Sequence, residues 1–127
     1  KNISISSADS WYIFHKSSVA IVASGTATLE CAISRTPFVV IYKTSFISWL
    51  VAKIFISIPF ISIVNILANK EIVKEYFQYQ INIKNISNEI IHLLDNPKNI
   101  KVSLFDVTKN LGNGSAYTKT AKYILDF

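Results

Sequence analysis

Arginine is almost missing from this 127-residue sequence: Arg35 is the only one among 13 basic residues. Major-groove base readout leans on arginine forks, so the shortage argues against sequence-specific nucleic-acid recognition. Cysteine is equally scarce. Cys31 stands alone in an apolar stretch, which excludes an internal disulfide, leaves no zinc-type companion and points to a reducing compartment and a small core residue. There is no methionine and no charged leader followed by a cleavage site, so the chain reads as beginning inside a longer protein. Charged residues make up only 17% against 50% hydrophobic, a balance that excludes disorder and suits one domain with a real core. Acidic residues number 8, leaving a net charge of +5 that rests on scattered lysines. Such a surface suits an anionic ligand or an anionic membrane, and equally a generally basic solvated face.

What is present alternates between two periodicities. Asn2 to Ser6 places Ile3 and Ile5 at strand spacing, and Asp9 or Ser10 then caps a helix from Trp11 to Lys16. Val19 to Ala23 is a β-branched run that ends in Ser24-Gly25-Thr26, after which Leu29, Ala32 and Ile33 recur at helical spacing. Pro37 opens the continuous apolar run Phe38 to Tyr42, the pattern of a strand covered on both faces. Ser45 caps an expected helix from Phe46 to Phe55. A loop with Ser62 and Asn65 follows Pro59, and a helix is expected from Lys70 to Phe77. Ile86, Ile90, Leu93 and Leu94 share a helical face before Asn96-Pro97, and Val102, Leu104, Phe105 and Leu111 fall in a further helix stopped by Gly112-Asn113-Gly114. Ser115 caps a last helix with Tyr117, Ala121, Ile124 and Leu125 inward. The expected class is α/β, a doubly wound parallel sheet with a helical tail.

Phe46 to Ala68 is long and apolar enough to test as a membrane span. Lys53 at mid-depth and Pro59 within the helix weigh against it, leaving a buried helix or one lying on the membrane surface. His15 and His92 have no carboxylate or cysteine companions, so no metal site is expected.

The chemistry sits at Ala23-Ser24-Gly25-Thr26-Ala27-Thr28-Leu29-Glu30. A strand that ends in Ser-Gly-Thr and opens a helix aims free backbone amides beyond the sheet, where the helix dipole favours an anion and Gly25 admits a phosphate to the main chain. Glu30, a turn further in, can accept two hydrogen bonds from a ribose diol. Small polar residues also open many helices for purely structural reasons, so this run is not specific alone.

The run Ala23 to Glu30, followed by Pro37-Phe38-Val39-Val40 and Tyr42-Lys43, resembles the ASGTATLE…P-hydrophobic-VV-x-YK signature of the lipid-A-disaccharide synthase family. Ser62-Ile63-Val64-Asn65-Ile66-Leu67-Ala68 is similar to that family's S-L-P-N-L-L-A, and Val73-Lys74-Glu75-Tyr76-Phe77-Gln78 to its V-P-E-L-L-Q, in the same order and spacing from about Ser10 to Leu94. Val64 replaces a usual proline, and Asn69-Lys70 a usual Gly-Arg.

The resemblance implies the nucleotide-sugar-binding C-terminal half of a GT-B glycosyltransferase of Rossmann-like topology, spanning residues 1–127. The implied reaction is inverting and metal-independent, uses no cofactor, and moves 2,3-diacylglucosamine from UDP-2,3-diacylglucosamine to 2,3-diacylglucosamine 1-phosphate. Ser24 and Thr26 would add hydroxyls to the turn, and Gly25, Thr26 and Ala27 would face the pyrophosphate. Glu30 would hold the ribose, Lys43 would neutralise the leaving diphosphate, and Asn65, Glu75 and Gln78 would line the donor-sugar side. The general base would lie in another domain. The implied setting is cytoplasmic, peripheral on the inner face of a Gram-negative inner membrane, with a homodimer allowed and nucleic acid not expected. Two other readings stay open at this point: another UDP-sugar GT-B transferase, such as the one that adds N-acetylglucosamine to the peptidoglycan lipid carrier, and a non-catalytic membrane-associated nucleotide-binding module.

Overall fold

A computed structural model describes residues 3–45, 59–109, 111 and 116–125. Among the described residues the elements are α1 (Ser10–Lys16), β1 (Ala20–Ala23), α2 (Thr26–Ile33), β2 (Phe38–Tyr42), α3 (Ile63–Ala68), β3 (Glu75–Phe77), α4 (Ile83–Asp95), α5 (Pro97–Thr108) and α6 (Ala116–Leu125), with a 3₁₀ turn at Gln78–Gln80. The three strands form a parallel sheet in the order β1-β2-β3, with Ala20 paired to Phe38 and Val40 to Glu75. Helices cover both faces. By strand alternation Phe38 and Val40 point to one side, where they join Val22 with Cys31 and Ala32 of α2, Val64 of α3, Val73 and Leu104 of α5 in a single buried cluster. Val39 points to the other side, which α4 covers, and is itself fully buried. Burial of side chains such as Phe38 and Leu104 contributes roughly 1.5–3 kcal/mol each relative to exposure.

The doubly wound α/β class expected from the sequence is the observed one, and β2 has the expected bounds. Other expectations are corrected. Residues 3–7 form no strand: they pair with none of β1 to β3, and Ile3 and Ile5 are almost wholly exposed. The loop expected around Asn65 is helix α3, capped by the Ser62 hydroxyl, which accepts from the Val64 amide at 3.2 Å. That amide is one a proline at position 64 would lack. Asn69 ends α3 in the left-handed region at φ 49°, the place glycine takes in many helix ends, so it fills the same role as the glycine it replaces.

The helix expected from Lys70 to Phe77 does not form. Glu75 to Phe77 is instead the third strand. The Asn65 side-chain oxygen accepts from the Ile72 and Val73 amides at 2.7 and 3.0 Å, which takes those donors out of any helical ladder. Leu111 lies beyond α5, which stops at Thr108, and on α6 Ile124 and Leu125 are exposed and not inward. Ser115 and the Tyr117 side chain lie outside the described residues, as does the helix expected from Phe46 to Phe55. One continuous helix over Phe46 to Ala68 is excluded, since residues 59–61 are not helical. No helix among the described residues is long and apolar enough to cross a membrane.

Candidate functional site

Because all three strands run the same way, their carboxyl ends share one edge, and in open α/β sheets ligands bind at that edge. The chain leaves β1 at Ser24-Gly25, β2 at Lys43-Thr44 and β3 at Gln78. The register pairs Ala23 with Ile41 and Tyr42 with Phe77; continued past these pairs, it sets Gly25, two residues beyond Ala23, level with Lys43 and Gln78, each one residue beyond its strand. Neighbouring strands are about 4.8 Å apart, which brings the three exits into one short row. Five of the residues expected at the site, from Ser24 to Ala27 together with Lys43, therefore share this edge with Gln78.

Ser24 continues the sheet, its amide donating to the Ile41 carbonyl at 3.1 Å. Gly25 then turns with φ +152° and ψ −163°, a conformation that L side chains rarely adopt. An added Cβ would meet nothing within 4 Å, so glycine is required by its backbone and not by crowding. Thr28 holds the turn from below, donating from its amide at 3.1 Å and from its hydroxyl at 2.7 Å to the Gly25 carbonyl. No side chain caps α2. Its first amides, at Thr26 and Ala27, have no carbonyl a turn behind them, and the helix dipole adds about half a positive charge there. Gly25 and Thr26 are exposed, so an anion can reach this end directly.

Glu30 is half-buried one turn further along α2. One of its carboxylate oxygens accepts from the Ser10 hydroxyl at the start of α1. The other has no donor among the described residues. Asp9, and not Ser10, caps α1 by accepting from the Trp11 amide at 3.1 Å, which leaves the Ser10 hydroxyl for Glu30. Sequence reasoning missed this contact, and the signal was there: of two adjacent candidate caps, only one is needed.

Lys43 is exposed at the end of β2 and makes no ion pair among the described residues. Gln78 is half-buried, sits at φ 43°, and donates from Nε2 to the Thr44 carbonyl at 2.9 Å.

Asn65 and Glu75 are placed differently. Asn65 is fully buried, and its Nδ2 donates to the Val73 carbonyl at 2.8 Å and to Glu75 Oε1 at 2.7 Å. Glu75 accepts from the amides of Ile61 and Ser62, both at 2.8 Å, so its carboxylate rests on the start of α3. It opens β3, three residues before Gln78 and so about 10 Å from the carboxyl edge. Their side chains are joined to each other beneath the surface and are not brought to the row that holds Gly25, Lys43 and Gln78.

An exposed, uncapped helix start at the carboxyl edge of a helix-covered parallel sheet defines a Rossmann-like α/β domain of the kind found as the C-terminal half of GT-B glycosyltransferases. The sequence model of the lipid-A-disaccharide synthetases matches residues 2–125, and the chain belongs to that family. It is 39% identical over 92 residues to a lipid-A-disaccharide synthase of Blochmanniella pennsylvanica, covering 72% of this chain and 24% of the relative. Against lipid-A-disaccharide synthase 1 of Legionella pneumophila strain Lens the identity is 46% over 77 residues, covering 61% and 20%. Against the Persephonella marina synthase it is 38% over 106 residues, covering 81% and 28%. The chain thus spans about a quarter of the length of these relatives.

Proposed function

We propose that residues 1–127 are the nucleotide-sugar-binding domain of a lipid-A-disaccharide synthase. The domain holds UDP-2,3-diacylglucosamine while its sugar passes to 2,3-diacylglucosamine 1-phosphate. The reading is carried by the open start of α2 at the carboxyl edge, with Glu30 one turn behind it and Lys43 one strand away, in a chain of this family. The amides of Gly25, Thr26 and Ala27 and the hydroxyls of Ser24 and Thr26 hold the diphosphate. The unshared oxygen of Glu30 accepts from the ribose, and Gln78 borders the donor-sugar side. Asn65 and Glu75 serve this side indirectly, by fixing α3 and the start of β3.

The acceptor's 6-hydroxyl oxygen forms a bond to the anomeric carbon from the face opposite the diphosphate. The carbon–oxygen bond to the diphosphate breaks, and its electron pair leaves with UDP. The proton of the hydroxyl goes to a base supplied outside these residues. Lys43 and the dipole of α2 stabilise the charge that develops on the diphosphate, work that an amine and fixed amides can perform without a metal ion. Acyl chains on both sugars place the reaction at the inner face of the inner membrane, where the basic surface favours anionic lipid.

Calorimetric titration of the full-length protein with UDP tests this. Glu30→Ala removes charge-assisted hydrogen bonds to the ribose and is expected to weaken binding roughly tenfold or more. Gly25→Ala, which forces a side chain into φ +152°, is expected to weaken it as well. Wild-type affinity in both variants rejects the site.

A further inference from the structure

We infer that Gln78 is a positioning residue, whose side-chain amide fixes the Thr44 carbonyl and so sets the turn that carries Lys43 beside the open start of α2. The inference rests on the reading that this edge holds a nucleoside diphosphate, and gives Gln78 a task other than touching the sugar.

Three observations carry it. The paired ladder between β2 and β3 stops at Tyr42 and Phe77, so among the described residues no strand pairing between them holds the chain beyond Tyr42 in register. Gln78 takes over there: its Nε2 donates to Thr44 across 34 residues of sequence at 2.9 Å, acting as one more rung made by a side chain. The backbone at Gln78 is also left-handed, at φ 43°, a conformation that a non-glycine residue keeps only when its surroundings over-determine it, and such residues gather at functional sites. The bend turns the chain out of β3 into the 3₁₀ turn while the side chain reaches back to β2. Lys43 lies between the last paired residue and the clamped carbonyl, so its backbone is held from both sides. A lysine so held loses less freedom on meeting an anion than one on a free loop.

A double-mutant cycle in the full-length protein, read by UDP titration, separates this from direct contact. Lys43→Ala is expected to weaken UDP about tenfold and Gln78→Ala about threefold to tenfold, with the double variant no weaker than Lys43→Ala alone. Gln78→Ala is also expected to flatten the salt dependence of binding as Lys43→Ala does, a change that loss of a neutral sugar contact would not produce. Gln78→Gly keeps the left-handed backbone without strain and is expected to bind like Gln78→Ala. Neutral Gln78→Met, which keeps the side-chain length but has no donor for the Thr44 carbonyl, is expected to do the same and serves if alanine lowers the melting temperature. Losses that multiply in the double variant, wild-type binding by Gln78→Ala, or wild-type binding by Gln78→Gly would each overturn the role while leaving the nucleotide site standing. No UDP binding by the wild type overturns both.

Discussion

Cys31 shows how position decides the chemistry of a residue. Its side chain is fully buried, its thiol lies 3.6 Å from the Thr36 carbonyl, and burial pushes the thiol up to about 12. The unfolded chain releases that proton near 9.0. Between these values the unfolded state loses a proton that the folded state keeps, so stability holds below about pH 9 and falls as pH rises toward 12. Two outcomes follow. At pH 8, iodoacetamide is expected to leave Cys31 of the native protein unlabelled and to label it in urea. In denaturant titrations between pH 8 and pH 10, the wild type is expected to lose stability relative to Cys31→Ala, and equal slopes would contradict the burial argument. The core role of Cys31 was legible in the sequence because its neighbours are apolar. The contact from Ser10 to Glu30 was not, because it joins residues 20 apart through the packing of α1 on α2.

At the scale of an element, the short strand β3 owes its existence to a side chain. Asn65 occupies the two amides that a helix through Ile72 and Val73 would need, and Glu75 secures the start of α3. Within residues 70–77 the i, i+4 spacing of Ile72 with Tyr76 and of Val73 with Phe77 reads as a helix although all four are strand-favouring residues, so the strand was illegible from spacing alone, whereas β2, whose five residues are all apolar or aromatic, was read to the residue. Asn65→Ala would leave two amides, one carbonyl and part of a carboxylate without partners, and is expected to cost about 2–4 kcal/mol in chemical denaturation. Glu75→Gln keeps one oxygen for the Ser62 amide and Asn65 but turns its NH2 toward the Ile61 amide, donor against donor, and is expected to cost about 1–3 kcal/mol. A loss below half a kilocalorie in both would mean that the network does not hold β3.

Across the whole molecule, one buried cluster ties α2, α3 and α5 to a single face of the sheet. Leu104 is its contribution from α5 and is fully buried. Leu104→Ala is expected to destabilise the protein by about 2–4 kcal/mol while leaving the affinity of the folded protein for UDP unchanged, as denaturant melts and calorimetry on one preparation would report. A parallel loss of affinity would mean that the cluster also shapes the carboxyl edge. The class of fold was legible because strands and helices alternate with so few interruptions. The bareness of α6, where Tyr123, Ile124 and Leu125 are at least 70% exposed, was not, because helical periodicity names an apolar face without naming what lies against it.

The parallel course of the strands has a further result. Every departure toward solvent after a strand falls on one rim, and every return, such as the one at Arg35, whose guanidinium lies 4.4 Å from the Phe105 ring centre, falls on the other. The molecule is polarised from end to end: one end can be rebuilt for a new guest without unsettling the joints, and the opposite end keeps the joints closed whichever guest arrives.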